Sequence, residues 1–426
     1  MTHAITHSFL SAALATLLAS TSAAAAPPPG TPAFWQPSWI SPAQPAWSDG
    51  WIVPLGMPSL LRDVTLRQSL RSSLGGEQLR LVISNQYGVA PLAVGTLTVR
   101  GGGEAAARTV RFQGRDGAVV APGARVISDP VGLPVQAGER LEVDLHLPGP
   151  SAPAGFHWDA QERTEVFKGN TAGRRGAPVL ETLSTRAFVS ELWVESARAP
   201  TAVVTIGDSI TDGNGSSIGQ DRRWPDQLAR RLAPRGIAVL NAGIAGNRLL
   251  RGGWGESALA RFERDALGHR GVRAVIVLLG TNDIGFPGSP FAPSEAPASL
   301  NDITDAFLQL AEQAHARQVR LVVGTVPPFE HALAGTPMEG HYSPRKEALR
   351  KALNDWIRRV GAFDAVVDFD AVLRDPAHPT QLDPALDSGD HLHPGDAGYR
   401  RMAEAVDLEA LLGADVGPHP PQAIRR

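Results

Sequence analysis

The chain has 426 residues, 43% apolar and 19% charged, which allows two or three folded domains with substantial cores and excludes a wholly disordered chain. A formal net charge of -3, with only three lysines (Lys168, Lys346, Lys351) among 40 basic residues and the arginines scattered, points to no polyanionic partner and no nucleic acid. Cysteine is absent, which excludes disulfides, thiol catalysis and thiolate metal sites.

Residues 8 to 26 form an apolar run ending in small residues, too short to span a bilayer comfortably. The pattern predicts a signal peptide over residues 1–26 and export to the periplasm or the medium. One feature departs from it: the first seven residues carry His3 and His7 but no Lys or Arg. Pro27 obstructs cleavage directly after Ala26, so processing is expected one or two residues earlier. No second apolar run is long enough for a membrane helix, so no membrane anchor is expected.

After a proline-rich lead-in to Pro32, residues 33–195 alternate apolar and polar positions in short stretches. The clearest is Leu141, Val143, Leu145 and Leu147 interleaved with Arg140, Glu142, Asp144 and His146. Similar runs cover Val64 to Leu70, Leu79 to Ile83, Leu92 to Val99 and Phe188 to Val194, separated by Gly, Pro and Asn turn signals. Closely spaced strands with no helix between them predict an antiparallel β-sandwich, jelly-roll-like.

Ser196 to Pro200 reads as a linker, and the pattern then changes. Apolar strands at about 201–206, 237–242, 273–280, 319–326 and 364–369 alternate with helical stretches. The helix beginning near Ser299 places Ile303, Phe307, Leu310, Ala311 and Ala314 on one face. The next takes Ser343 as N-cap and Pro344 at its first position and stops at Gly361. This alternation predicts an α/β domain over 201–415, a parallel sheet wrapped on both faces, followed by a flexible tail at 416–426.

Ligands in such folds bind beyond the carboxyl ends of the strands, and four blocks fall there. Ser209 follows the first strand in Gly207-Asp208-Ser209, and Gly246 follows the second in Asn241-Ala242-Gly243-Ile244-Ala245-Gly246-Asn247. Asn282 follows the third in Gly280-Thr281-Asn282-Asp283, and Asp390-His391-Leu392-His393-Pro394 precedes the final helix. Acyl transfer needs a nucleophile, a base, a group that orients the base and donors for the oxyanion. Ser209 can attack, His393 can serve as base and then acid, and Asp390 three residues earlier can hold the imidazole. Pro394 suits the first turn of the last helix, whose positive end disfavours an imidazolium that Asp390 offsets. The backbone amides of Ser209 and Gly246 and the side-chain amide of Asn282 can form the oxyanion hole, each donor worth about 3 kcal/mol in the transition state.

Over about residues 201–412 these four ordered blocks resemble the SGNH superfamily of GDSL-type serine esterases, with Asp390 and His393 in its Asp-x-x-His pattern. The resemblance implies a flavodoxin-like three-layer fold, no metal, no organic cofactor, and ester substrates ranging from acetylated sugars to lysophospholipids and thioesters. The N-terminal half lies outside it, although two-domain carbohydrate esterases with a leading β-domain exist in the family. The expected function is therefore a secreted serine esterase for short, chiefly acetyl, esters of carbohydrates. A lipid-directed esterase or lysophospholipase and a non-catalytic carbohydrate-binding surface protein are the alternatives. Nothing in the pattern sets the oligomeric state.

Several residues admit two readings. Gly243 competes with Gly246 as oxyanion donor. Ser217 in Gly215-Ser216-Ser217-Ile218-Gly219 matches a Gly-x-Ser-x-Gly elbow but lacks the strand before it. Asp390, His391 and His393 could be read as metal ligands, though no further ligand stands at helpful spacing. Trp224 lines the substrate pocket or belongs to the core, and Trp35, Trp39, Trp47 and Trp51 stack on sugar rings or are buried. Asp283 reads as a structural hydrogen-bonding partner. The long connections Gly285 to Pro297 and Val326 to Tyr342 lie above the predicted site.

Overall fold

The strand Arg140–Leu147 is flanked along its whole length by Val64–Arg71 and on its other side by Leu97–Gly101, both antiparallel. Its period-two residues Leu141, Val143, Leu145 and Leu147 are fully buried, as the alternation requires. This computed structural model describes residues 34–413 except 48, 49, 104 and 105, so the predicted signal peptide and the C-terminal tail lie outside the described residues. Arg140–Leu147 is the middle strand of a seven-stranded sheet. A four-stranded sheet of Phe34–Ile40, Val189–Ser196, Leu79–Ser84 and Arg125–Ile127 shares its core, Leu81, Ile83 and Leu192 joining Leu66 and Leu141 in one buried cluster.

Two strand boundaries differ from the sequence reading. Leu92 to Val99 is not one strand: Leu92–Val94 pairs with Ala118–Val120, whereas Leu97–Gly101 joins the large sheet. The break falls at Gly95, whose N–H donates to the His146 carbonyl (2.9 Å). The strand Phe34–Ile40 has no alternating signature. Trp35 and Trp39 lie beneath the guanidinium groups of Arg80 and Arg186, at 4.4 and 5.3 Å from the ring centroids.

Beyond Pro200 five parallel strands stand in the order Ala238–Gly243, Ala202–Gly207, Val272–Leu278, Arg320–Gly324, Ala365–Val367. Neighbouring residues of one strand face opposite helical layers, which is why these strands read as continuous apolar runs. Val204, Ile206, Val275 and Val277 pack with helices Ala258–Phe262 and Leu300–Ala316, while Val203, Ile276 and Leu278 pack with Trp224–Leu232 and Asp396–Ala405. The result is the expected three-layer α/β arrangement. Ser299 and Asp302 form a capping box at the start of Leu300–Ala316, and Ser343 Oγ accepts from Lys346 N (3.3 Å) at the start of Pro344–Arg359.

The β-region and the α/β region belong to one compact unit. Ile40, Leu74 and Val194 are buried in the same cluster as Ala238 and Leu240, and Gln36 Nε2 donates to the Thr201 carbonyl (2.8 Å). Residues 197–200 connect two surfaces that already share a core.

At the carboxyl ends of the strands lies Arg261, fully buried. Its guanidinium donates to the carbonyls of Ala242 (2.7 Å) and Gly207 (3.1 Å) and to Asn247 Oδ1 (2.9 Å), and pairs with Asp265 (3.4 Å). Burial lowers its pKa, against the opposing pull of Asp265. The side chain satisfies the carboxyl ends of the edge strand Ala238–Gly243 and its neighbour Ala202–Gly207 at once, so removing it orphans several buried acceptors. Arg261→Met is expected to reduce stability by about 3–5 kcal/mol in urea unfolding; a loss below about 1 kcal/mol would contradict this role.

Candidate active site

The strand Ala202–Gly207 is buried throughout and ends in a reversal that sequence spacing had located. Asp208 caps the short helix Ser209–Asp212, its Oδ1 accepting from Ile210 N (3.0 Å). Ser209 is the first helical residue, so its N–H has no acceptor within the helix. Its side chain stands at the strand's carboxyl end, 8% exposed.

The Asp390–His393 loop meets it there. Ser209 Oγ lies 2.8 Å from His393 Nε2, and His393 Nδ1 lies 2.6 Å from Asp390 Oδ2. The other oxygen of Asp390 accepts the N–H groups of Leu392 (2.9 Å) and His393 (2.8 Å), so a single carboxylate shapes the loop and orients the ring. Burial alone would raise Asp390; the hydrogen bond and charge of His393, with those two N–H groups, outweigh it and hold the carboxyl well below the usual range. For His393, burial disfavours the charged ring, but the hydrogen bond and charge of Asp390, with Asp208 and Asp159 beyond, raise it above its ordinary value of 6.5. Burial pushes Asp208 itself up to about 7, against the hydrogen bond from Ile210 N–H.

Pro394 is not in the first turn of a helix. It forms an antiparallel bridge with Asp387, and Gly395 caps the helix Asp396–Ala405, because Ser388 N is taken by the His393 carbonyl (3.0 Å) and the loop must close before the helix begins.

The glycine block resolves by packing. A Cβ at Gly243 would run into the backbone of Thr211 and Asp212, so that glycine lets the second strand lie against the nucleophile helix. Gly246 has φ +72 in the turn beyond, and a Cβ there would strike the ring of Trp254. Asn282 Nδ2 donates to the Asn247 carbonyl (2.9 Å), which links the third block to the second and leaves its other N–H for a ligand. Asp283 accepts from the backbone N–H groups of Leu249 (2.8 Å) and Leu250 (2.9 Å), the structural role its position suggested.

Other candidates fall away from this centre. Ser217 is exposed, and its hydroxyl and N–H both bond Asp396 (2.7 and 2.8 Å). Trp224 does not line a substrate pocket: it is fully buried in the helix Trp224–Leu232 against Phe369, because Pro225 makes the segment a helix start rather than a loop. His391 turns outward and pairs with Asp387 (2.7 Å), away from His393. Among the described residues no group of three or more His, Asp or Glu side chains is placed to hold a metal ion.

Residues that sequence reasoning missed are Trp254 in the α/β region and Trp158, His157 and Asp159 in the β-region. Trp254, 5% exposed beside Gly246, is ringed by Trp47 (5.1 Å between centroids), Trp158 (5.4 Å), Trp51 (6.0 Å) and, from the connection above, Phe291 (5.7 Å). Trp47 and Trp51 are thus half-buried members of an aromatic wall, and Gln44 Nε2 donates to the Trp254 carbonyl. His157 bonds Asp212 in the nucleophile helix (2.9 Å), and Asp159 Oδ2 accepts from Asn214 just after it (2.7 Å). Asp159 has φ +49, a left-handed conformation that is unusual outside glycine. No local signal could have marked His157 and Asp159, since their partners lie 55 positions away.

Residues 205–401 match the GDSL-like Lipase/Acylhydrolase family. None of the curated proteins matches the chain. Among solved structures, the chain is similar to a protein described as lipolytic and of the G-D-S-L family from Desulfitobacterium hafniense (22% identity, 48% of this chain and 97% of that one, TM-score 0.36). It is also similar to a GDSL-like lipase from Bacteroides thetaiotaomicron (20%, 48% and 85%, TM-score 0.35). A third is a variant of an acetyl-xylooligosaccharide esterase from Geobacillus Stearmophilus (20%, 51% and 96%, TM-score 0.35).

The pKa shift of His393 carries a pH prediction. The ring accepts a proton only when neutral, so kcat/KM for p-nitrophenyl acetate should fall as pH drops through a value above 6.5. Asp390→Asn removes the main group that raises that value while burial still lowers it, so the acid limb should move to lower pH and the plateau should drop by about 10^4. An unmoved limb in a folded variant would contradict the pairing.

Proposed function

Taking residues 205–401 as a GDSL-like lipase/acylhydrolase domain, and the chain therefore as a carboxylic ester hydrolase, we propose that it works through an acyl-enzyme on Ser209. The observation that carries this reading is the continuous chain from Ser209 Oγ through His393 to Asp390, at 2.8 and 2.6 Å. Asp390 accepts the hydrogen bond of the Nδ1–H, which keeps that proton on Nδ1 and presents the Nε2 lone pair to the hydroxyl. Ser209 Oγ attacks the ester carbonyl carbon as its proton passes to Nε2. The oxyanion is held by the N–H groups of Ser209 and Gly246 and by the free N–H of Asn282. Collapse breaks the bond to the alcohol oxygen, which leaves with the proton from His393. Water then attacks the acyl-Ser209 carbonyl, gives its proton to Nε2, and the acid departs as that proton returns to Oγ.

For the substrate we favour short acyl groups, chiefly acetyl, on a carbohydrate. Two features support this. The turn at Gly246 lies against the ring of Trp254 and its aromatic neighbours, a bulky wall beside the oxyanion donors that suits a small acyl group. Trp47, Trp51 and Trp158 are half-buried, so part of this aromatic cluster reaches the surface, the chemistry that sugar rings stack on. The apolar run at residues 8–26 supports export, with N-terminal sequencing of the released protein expected to start at residue 25 or 26.

The test compares p-nitrophenyl acetate with p-nitrophenyl octanoate, using the mature protein beside Ser209→Ala. The reading predicts faster turnover of acetate and a drop of about 10^4-fold or more in the variant. Preference for octanoate would favour a lipid-directed esterase. A folded wild type inactive on both, yet binding glycans, would favour a non-catalytic module, and an undiminished Ser209→Ala would overturn the nucleophile.

A further inference from the structure

The β-region touches the catalytic half at many points, but one contact reaches the reacting groups through a single intermediary. His157, the last residue of the strand Gly155–His157, is 6% exposed. Its Nδ1 lies 2.8 Å from the Pro42 carbonyl, which can only accept, so Nδ1 carries a proton. Its Nε2 lies 2.9 Å from Asp212 Oδ1, within hydrogen-bond distance.

Asp212 is 1% exposed and ends the helix that Ser209 begins. Its second oxygen, Oδ2, accepts the N–H of Ala245 (3.1 Å). Ala245 directly precedes Gly246, and the intervening peptide sets where the Gly246 N–H points. The carboxylate thus joins the nucleophile helix to the oxyanion turn, and His157 is the group that holds the carboxylate. A second strut runs parallel to it: Asp159, two residues on in the left-handed conformation, accepts from Asn214. Such strained placements persist where surrounding contacts hold them, which argues that the 157–159 segment is built to meet this helix.

We propose that His157 is a positioning residue, acting through Asp212 to fix the Gly246 N–H relative to Ser209, so that the β-region is a working part of the active site. It touches no reacting atom. The proposal rests on Ser209 as nucleophile and Gly246 as oxyanion donor.

Two variants separate positioning from folding. In His157→Asn the amide nitrogen can occupy the Nδ1 place and keep the bond to Pro42, but it cannot reach Asp212. In His157→Gln the amide reaches the Nε2 place and keeps the bond to Asp212. With p-nitrophenyl acetate, His157→Asn should lose about 100-fold in kcat with KM changed less than about threefold, as expected when a donor is misplaced by a fraction of an ångström to an ångström. His157→Gln should recover most of kcat. Equal wild-type kcat in both variants, a loss confined to KM, or failure of both to fold would overturn the proposal, the last by showing that the residue serves folding alone. Ser209→Ala run alongside keeps the premises apart: if it retained full activity, the nucleophile assignment would fail whatever His157 did. Should the wild type not turn over this ester, the rate at which a fluorophosphonate labels Ser209 reads the same positioning, with the same expected order of the two variants.

Discussion

The hydrogen bond between His393 Nε2 and Ser209 Oγ joins residues 184 positions apart and can form only if two independently built loops arrive at the same point. Both are positioned by elements with no freedom of their own. Ser209 stands at the end of a strand buried on both faces, and the His393 loop is closed by the Asp390 carboxylate and the Asp387–Pro394 bridge. A displacement of either by an ångström would remove the proton acceptor from the nucleophile. Much of the surrounding structure can be understood as preventing that displacement.

The devices that do so are polar and buried. Arg261 gathers the carbonyl ends of two strands, Asp283 holds the backbone after the glycine turn, and Asn247 receives both Arg261 and Asn282. Each is affordable only because every partner is present, since a buried charge or amide left unpaired would cost several kcal/mol. The β-region continues this network instead of standing apart from it. Through Gln44, Trp47 and Trp158 it packs against Trp254, and through His157 and Asp159 it reaches the helix of the nucleophile.

The parts of the molecule that were legible in the sequence are those whose physics is local. Period-two alternation at Leu141 to Leu147, the helix start near Ser299 and the cap at Ser343 are read from neighbours a few residues away, and the structure has them where spacing put them. The blocks around Ser209, Gly246, Asn282 and His393 were legible because each follows a recognisable strand or precedes a helix, and the structure brings Ser209, His393 and Asp390 together. What stayed hidden is long-range. His157 carries no motif, and nothing in the sequence marks its partner Asp212 apart from its place at the end of a short helix. Trp224 was open to a pocket or a core reading beside Arg222 and Arg223, and Pro225 starts a helix there that turns the ring into the core. The strand Phe34–Ile40 was missed because Gln36 to Ile40 are all buried, covered on both faces, so polar and apolar positions do not alternate along it.

The central claim is that Ser209 is the one hydroxyl activated by this network. Reaction of the native protein with a fluorophosphonate, followed by proteolysis and mass mapping, tests it most directly, because the reagent reports which oxygen is nucleophilic without presupposing the natural ester. The account predicts a single adduct on the peptide containing Ser209, lost when His393 is replaced by Ala. An adduct on Ser217, or labelling of Ser209 that is indifferent to His393, would contradict it.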